Sequence, residues 1–337
     1  MKKALIVLLI LAVAGGLFAQ SFSGNVKTGA YFEFDGDSPV NGTMADGWRG
    51  QAVRGALDFS SGGDDWGVSI GTSANVADHG GAVTGISVEG FNGWVKFADI
   101  FRLTAGKGVG DAWNAFNVDA GTGMHGSAAG ARIEVTPIDG LNLGVLFGYP
   151  KAGSNAEKLA NFFQEIGLGA KYEASIFSAY ASLQLDSPET TGGDMDATAR
   201  FGVKVPVADI LEFKLVGHVD NLFTGSKIWL EEKISGNIVG LGWYVWAREN
   251  LGDPLKVAAH AGVDYGIPIN DKASVSVGAD ANLTILDPFK FDSFDVWAEL
   301  AYNFNGNVNT SFEFGIDGAV DPMKITPYLK WLIGYTF

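Results

Sequence analysis

Phe22-Ser23-Gly24-Asn25-Val26-Lys27-Thr28-Gly29-Ala30-Tyr31-Phe32-Glu33-Phe34-Asp35 reads with a period of two. Every even position is apolar or small, and most odd positions are polar. On a strand such sets point to opposite faces. The same alternation returns in Val53–Phe59, Trp66–Val76, Leu141–Tyr149, Ile166–Tyr172, Phe177–Leu185 and Ala197–Val205. It continues in Leu211–Val219, Leu255–Tyr265, Ala273–Leu283 and Phe294–Phe304. The pattern yields about 18 segments, or about 16 if Lys227–Arg248 holds fewer than it suggests. Near Gly90–Phe91 the parity slips by one, the mark of a β-bulge.

The connectors alternate as well. Short ones rich in Gly, Pro, Asn and Asp lie at Ser61–Asp64, Ala98–Ile100, Pro137–Gly140, Ala174–Ile176, Pro206–Ile210, Ser235–Asn237, Ile267–Asp271 and Asn305–Asn307. Between them run longer, more polar ones: Gly36–Gly47, Ala77–Gly85, Lys107–Gly126, Pro150–Phe162 and Asp186–Asp196. Ser154 and Glu157 have the spacing of a helical capping box in one of these. Short turns on one side and long loops on the other describe a closed antiparallel barrel that crosses a membrane. Its strands need about 9–11 residues each, and the length accommodates them. An even count puts short turns and both termini in the periplasm.

The chain starts MKKALIVLLILAVAGGLFAQ. Lys2 and Lys3, an apolar run and small residues up to Ala19 read as a cleaved secretory signal over residues 1–19. Residues 20–337 are then one barrel domain. Losing the signal takes the formal charge from −15 to −17, which argues against nucleic-acid partners. There are no cysteines, so a closed backbone ladder must hold the fold instead of disulfides. Glycine, at 47 residues of 337, is about twice its usual share.

Catalytic and metal motifs are weak. Gly67-Val68-Ser69-Ile70-Gly71 matches a nucleophile-elbow pattern but lies inside an alternating strand. His79, His125, His218 and His260 are scattered, and Gly106, Gly108 and Gly110 precede no helix. Asp35-Gly36-Asp37 and Asp194-Met195-Asp196 lack the full spacing of a calcium loop. No enzyme activity, metal or cofactor is expected. Parity instead aims charge at the lumen: Arg54, Lys96, Arg102, Arg132, Lys171, Arg200, Lys204 and Lys214, with Asp58, Glu134, Glu173, Glu212, Asp280 and Glu299.

The last strand alternates through Leu329, Trp331, Ile333 and Tyr335 and ends in Phe337. With the signal peptide, this resembles the outer-membrane barrels of Gram-negative-type envelopes. The resemblance implies that the terminal strand is read by the barrel-assembly machinery. Size and strand count are similar to the 16- and 18-stranded porins. In general porins the third extracellular loop folds inward to narrow the pore. Lys107–Gly126 holds that place, between the fifth and sixth strands, although the acidic Gly-rich loop motif of enterobacterial porins is absent. Asp111 and Asp119 in this loop, with Arg102 and Arg132 on the flanking strands, are the candidate constriction. The expected function is passive diffusion of ions and small hydrophilic solutes across the outer membrane, with lipid around the barrel. A homotrimer is one assembly open to it. A surface adhesin is the alternative; a hydrophobic-compound transporter would need an N-terminal plug for which there is little room.

Overall fold

A computed structural model describes residues 20–34, 40–45, 48–49, 51–77, 83–107, 109, 113, 116, 118, 129–148, 166–186, 196–208, 210–252, 254–286, 289–320 and 322–337. The signal segment, Asp111, Asp119 and the Ser154–Glu157 motif lie outside them. Among the described residues all regular structure is β. In chain order the strands are β1 (Gln20–Glu33), β2 (Val40–Ala45), β3 (Trp48–Arg49), β4 (Gln51–Gly62), β5 (Trp66–Ala77), β6 (Val83–Phe97) and β7 (Phe101–Lys107). There follow β8 (Ala129–Ile138), β9 (Leu141–Gly148), β10 (Ile166–Glu173), β11 (Ser178–Asp186), β12 (Asp196–Val207) and β13 (Leu211–Asp220). The remainder are β14 (Lys227–Ile238), β15 (Leu241–Asn250), β16 (Lys256–Pro268), β17 (Ala273–Thr284), β18 (Lys290–Asn303), β19 (Val308–Val320) and β20 (Met323–Thr336).

Eighteen of these close the wall. β1 pairs with β4, each later strand pairs antiparallel with the next, and β20 returns to β1 over Asn25–Glu33 and Tyr328–Thr336. The count is therefore the larger of the two that the sequence allows. β2 and β3 form a small hairpin within the first long connector, and β2 extends the ladder beside Ala30–Glu33. Phe337 completes the seam. It exchanges two backbone hydrogen bonds with Gly24, at 2.9 and 3.0 Å, and its ring lies 5.7 Å from that of Phe22.

That seam gives Phe337 a structural role. Deleting Phe337 removes two net hydrogen bonds of about 1 kcal/mol each and an aromatic contact of about 0.5–1.5 kcal/mol. The folded, heat-modifiable fraction in membranes is expected to fall severalfold by gel shift. Wild-type yield from the deletion would show that the terminal residue carries no such weight.

Cross-strand partners share a face, so the register sorts the two walls. The outer wall carries exposed apolar side chains such as Phe22, Leu57, Ile133, Leu168, Val263 and Phe314. Water would reject such a surface, and hydrocarbon accepts it. Large rings are accommodated by glycines opposite them: Trp94 lies across Gly67, Tyr180 across Gly202, Trp297 across Gly278 and Tyr328 across Gly315. A Cβ at any of these glycines would meet the neighbouring ring, which accounts for part of the high glycine content.

Two local details refine the sequence reading. The parity slip is a bulge at Glu89, which has no partner where Gly71↔Gly90 gives way to Thr72↔Val88. Ser73 and Ser87 donate to its carboxylate. The turn expected at Ser235–Asn237 is instead Val239–Gly240. Both residues have positive φ, 53° and 85°, as a two-residue hairpin turn of the I′ kind demands. Valine is a poor turn former at positive φ, so composition hid this turn and the strands around it.

Candidate functional site

The inner wall holds the charge. Arg54, Lys96, Arg102, Arg132, Lys171, Arg200, Lys204 and Lys214 all share the face opposite the exposed apolar rows. So do Asp58, Glu134, Glu173, Glu212, Asp280 and Glu299. Positions i and i+2 lie side by side on one face, and several opposite charges pair that way. Arg132 Nε meets Glu134 at 2.9 Å, Lys171 meets Glu173 at 3.1 Å, and Lys214 meets Glu212 at 2.8 Å. Across strands, Lys330 reaches Glu313 at 2.7 Å, and Arg248 reaches the fully buried Glu231 at 2.6 Å.

Part of the longest connector, between β7 and β8, lies against the inner wall. Its four described residues, Val109, Trp113, Phe116 and Val118, are all buried. Trp113 donates from Nε1 to Asn142 Oδ1 at 3.0 Å, and Arg132 donates to the Val109 carbonyl. Val109 and Trp113 pack with Leu146. The indole lies in a slot on the inner wall of β9 and β10. A Cβ on Gly144 would stand 2.8 Å from the ring, and one on Gly169 closer still. Further along, the Phe116 ring meets Tyr180 edge-on at 5.1 Å, and Gly202 lies beneath both rings. Val118 joins Phe116, Tyr180, Val216 and Trp246 in a second cluster. These four residues are thus fastened at two places on the inside of the wall, one at β8–β10 and one at β11–β15.

Of the expected constriction residues, Arg132 touches this loop. Arg102 sits one inward rung nearer the short turns, paired with Glu134 in the ladder, with its guanidinium 4.5 Å from the Trp94 ring. It meets none of the four described loop residues. Asp111 and Asp119 fall outside the described residues.

The register also assembles two rows that parity alone did not reveal. Lys204, Lys214 and Lys233 are direct neighbours across β12, β13 and β14. Like charges so placed repel. The row is eased by Glu212, by Phe116 at 5.9 Å from Lys204, and by Tyr244 at 4.7 Å from Lys233. Asp280, Asp295 and Asp317 are direct neighbours across β17, β18 and β19. Tyr244 donates to Asp280, and Tyr328 to Asp295 at 3.0 Å. Between the rows stand Tyr244, Trp246 and His260, with the His260 ring 5.4 and 5.6 Å from the other two. Lys233, Asp295 and Asp317 were not singled out from the sequence. Their parity was readable, but their adjacency depends on cross-strand register.

Ser69, the serine of the elbow-like motif, lies within β5 and donates to Asn92 at 3.0 Å. It is not at a strand-to-helix turn, so the geometry of a catalytic nucleophile is missing.

A closed wall of eighteen antiparallel strands, apolar outside and charged inside, with four described residues of one connector packed on its inner face, is a porin-like β-barrel fold. Solved structures bear this out over nearly the whole chain. OccK2 (OpdF) of Pseudomonas aeruginosa superposes with a TM-score of 0.61 at 12% identity, covering 94% of this chain and 97% of its own. OpdL of the same organism gives 0.60 at 10% identity, with 94% and 98% covered. A form of OmpT from Vibrio cholerae lacking loop L8 gives 0.52 at 14% identity, with 95% and 99% covered. OccK2 has also been solved in complex with glucuronate. No protein-family model matches the chain, and no curated protein does.

Proposed function

We propose that the protein is an outer-membrane channel through which ions and small hydrophilic solutes diffuse passively. The observation that carries this reading is the loop fastened inside the barrel. It narrows a lumen whose wall presents rows of charge, where an adhesin would concentrate such groups on its outer loops. A barrel of 16–18 strands is wide enough for an aqueous path. The porin neighbours, one of them crystallised with glucuronate, support the reading. Asp111 and Asp119 belong to it by sequence position, each within two residues of an anchored one, Trp113 and Val118. They extend the constriction begun by Arg132, with Arg102 below it. Export by a cleaved signal peptide, recognition of the strand ending in Phe337 by the barrel-assembly machinery, and oligomerisation complete the proposal. It assigns the chain no enzymatic role.

The test is conductance. Purified mature protein, shown to be folded by heat modifiability, is added to a planar bilayer in salt. Stepwise, long-lived current increments are expected. Folded protein that inserts and never conducts would overturn the channel and favour the adhesin.

A further inference from the structure

The inner wall is recessed at the end that carries the short turns. Lys27, Ser274, Glu299, Asn309 and Ser311 border a cavity of about 530 Å³ there. Small residues give it depth. Ala301 lies between Ser274 and Ser311 across β17, β18 and β19, and Gly334 lies between Asn309 and Lys27 across β19, β20 and β1. A Cβ on Gly334 would stand 2.7 Å from Asn309 Oδ1, inside van der Waals contact. The turn after β16 closes one side. Asn270 Oδ1 accepts from the backbone nitrogens of Lys272 and Ala273 at 2.8 and 3.0 Å. The Lys272 carbonyl accepts from Asn303 N at 2.7 Å, which holds the turn against the end of β18.

The polar groups around this recess point to its occupant. The side chains of Ser274, Glu299, Asn309 and Ser311 make no hydrogen bond or ion pair with the described residues, whereas Glu313, beside Glu299 in the ladder, meets Lys330 at 2.7 Å. Their chemistry is mixed. An ionised Glu299 only accepts, an ammonium such as that of Lys27 only donates, and serine and asparagine do both. Lys27 and Lys272 are balanced by Asp271 and Glu299 on the same lining, so neither sign of solute charge is favoured. A solute that meets all these groups must carry several that both donate and accept, with no net charge. Hydroxyls on a short carbon skeleton do so. Ala301 and Leu332 offer an apolar floor for that skeleton. The volume falls in the range of about 300–1,000 Å³ typical of small-molecule sites.

We propose that this recess binds a neutral polyhydroxylated solute, of the class of the simple sugars. Glu299 accepts from its hydroxyls, and Ser274 and Ser311 hold it from either side of Ala301. The proposal names a solute class for the channel and so rests on that reading, but binding is measurable without conduction. Purified full-length mature protein, shown to be folded by heat modifiability, is titrated with glucose and followed by saturation-transfer NMR. Gluconate and glucosamine serve as the anionic and cationic relatives. Glucose is expected to bind, and the charged relatives to bind no more tightly. Ala301→Leu, which fills the floor, should abolish glucose binding, and Ser311→Ala should weaken it severalfold, with heat modifiability kept in both. Folded wild type that does not bind glucose, a severalfold preference for either charged relative, or binding indifferent to both variants would overturn the proposal. Bilayer recordings separate the two readings. Protein that conducts and does not bind glucose sinks the recess alone, and protein that binds glucose at this site and never conducts sinks the channel alone.

Discussion

In single-channel recordings the Trp113→Ala barrel is expected to lose the steady current of the wild type. Trp113 is 1% exposed, hydrogen-bonded to Asn142, and seated over Gly144 and Gly169. Truncating a buried tryptophan costs about 3–5 kcal/mol. That cost falls on the loop, because the wall is held by its own ladder. A change of about 3–5 kcal/mol moves the anchored-to-detached ratio by two orders of magnitude or more. The loop stays tethered at Phe116, so the current should break into fluctuating sublevels. Replacing Phe116 as well releases both fastenings, and mean conductance should then rise. Gly169→Leu reaches the single-site phenotype from the other side, by filling the slot that holds the indole. Heat modifiability should be unchanged in all three. Wild-type current noise in Trp113→Ala and Gly169→Leu would show that this contact does not hold the loop.

The second large effect concerns ion choice. Converting Lys204, Lys214 and Lys233 together to glutamine should shift the reversal potential in a salt gradient towards cations. A unit charge about 7 Å from a permeating ion is worth about 0.6 kcal/mol even at the dielectric of water. Three in a row act in concert on the same stretch of lumen, and within about 8 Å screening is incomplete. Their joint removal should change the permeability ratio severalfold. Converting Asp280, Asp295 and Asp317 to asparagine should move it the other way. The formal charge of −15 favours cations overall, so the lysine row works against the background of the whole chain. Triple variants that both leave the reversal potential in place would mean that the permeation path avoids these rows.

By itself the sequence determined the class of fold and the sidedness of almost every strand. The period of two is a local property, and a charge cannot face lipid without cost, so parity alone separated lumen from membrane at Arg54, Lys204 and Glu299. It also marked the bulge at Glu89 to within a residue, since an extra residue shifts parity. Other features were beyond it. The turn at Val239–Gly240 was hidden because its conformation depends on φ angles that valine rarely adopts. The lysine and aspartate rows needed register, which is a relation between strands distant in sequence. The inward seating of Trp113 and Phe116 was decided by contacts of the same kind. Trp113 and Phe116 are ordinary loop aromatics until Gly144 is brought beside Gly169 and Gly202 beside Tyr180, and only then is there space for the rings to fill.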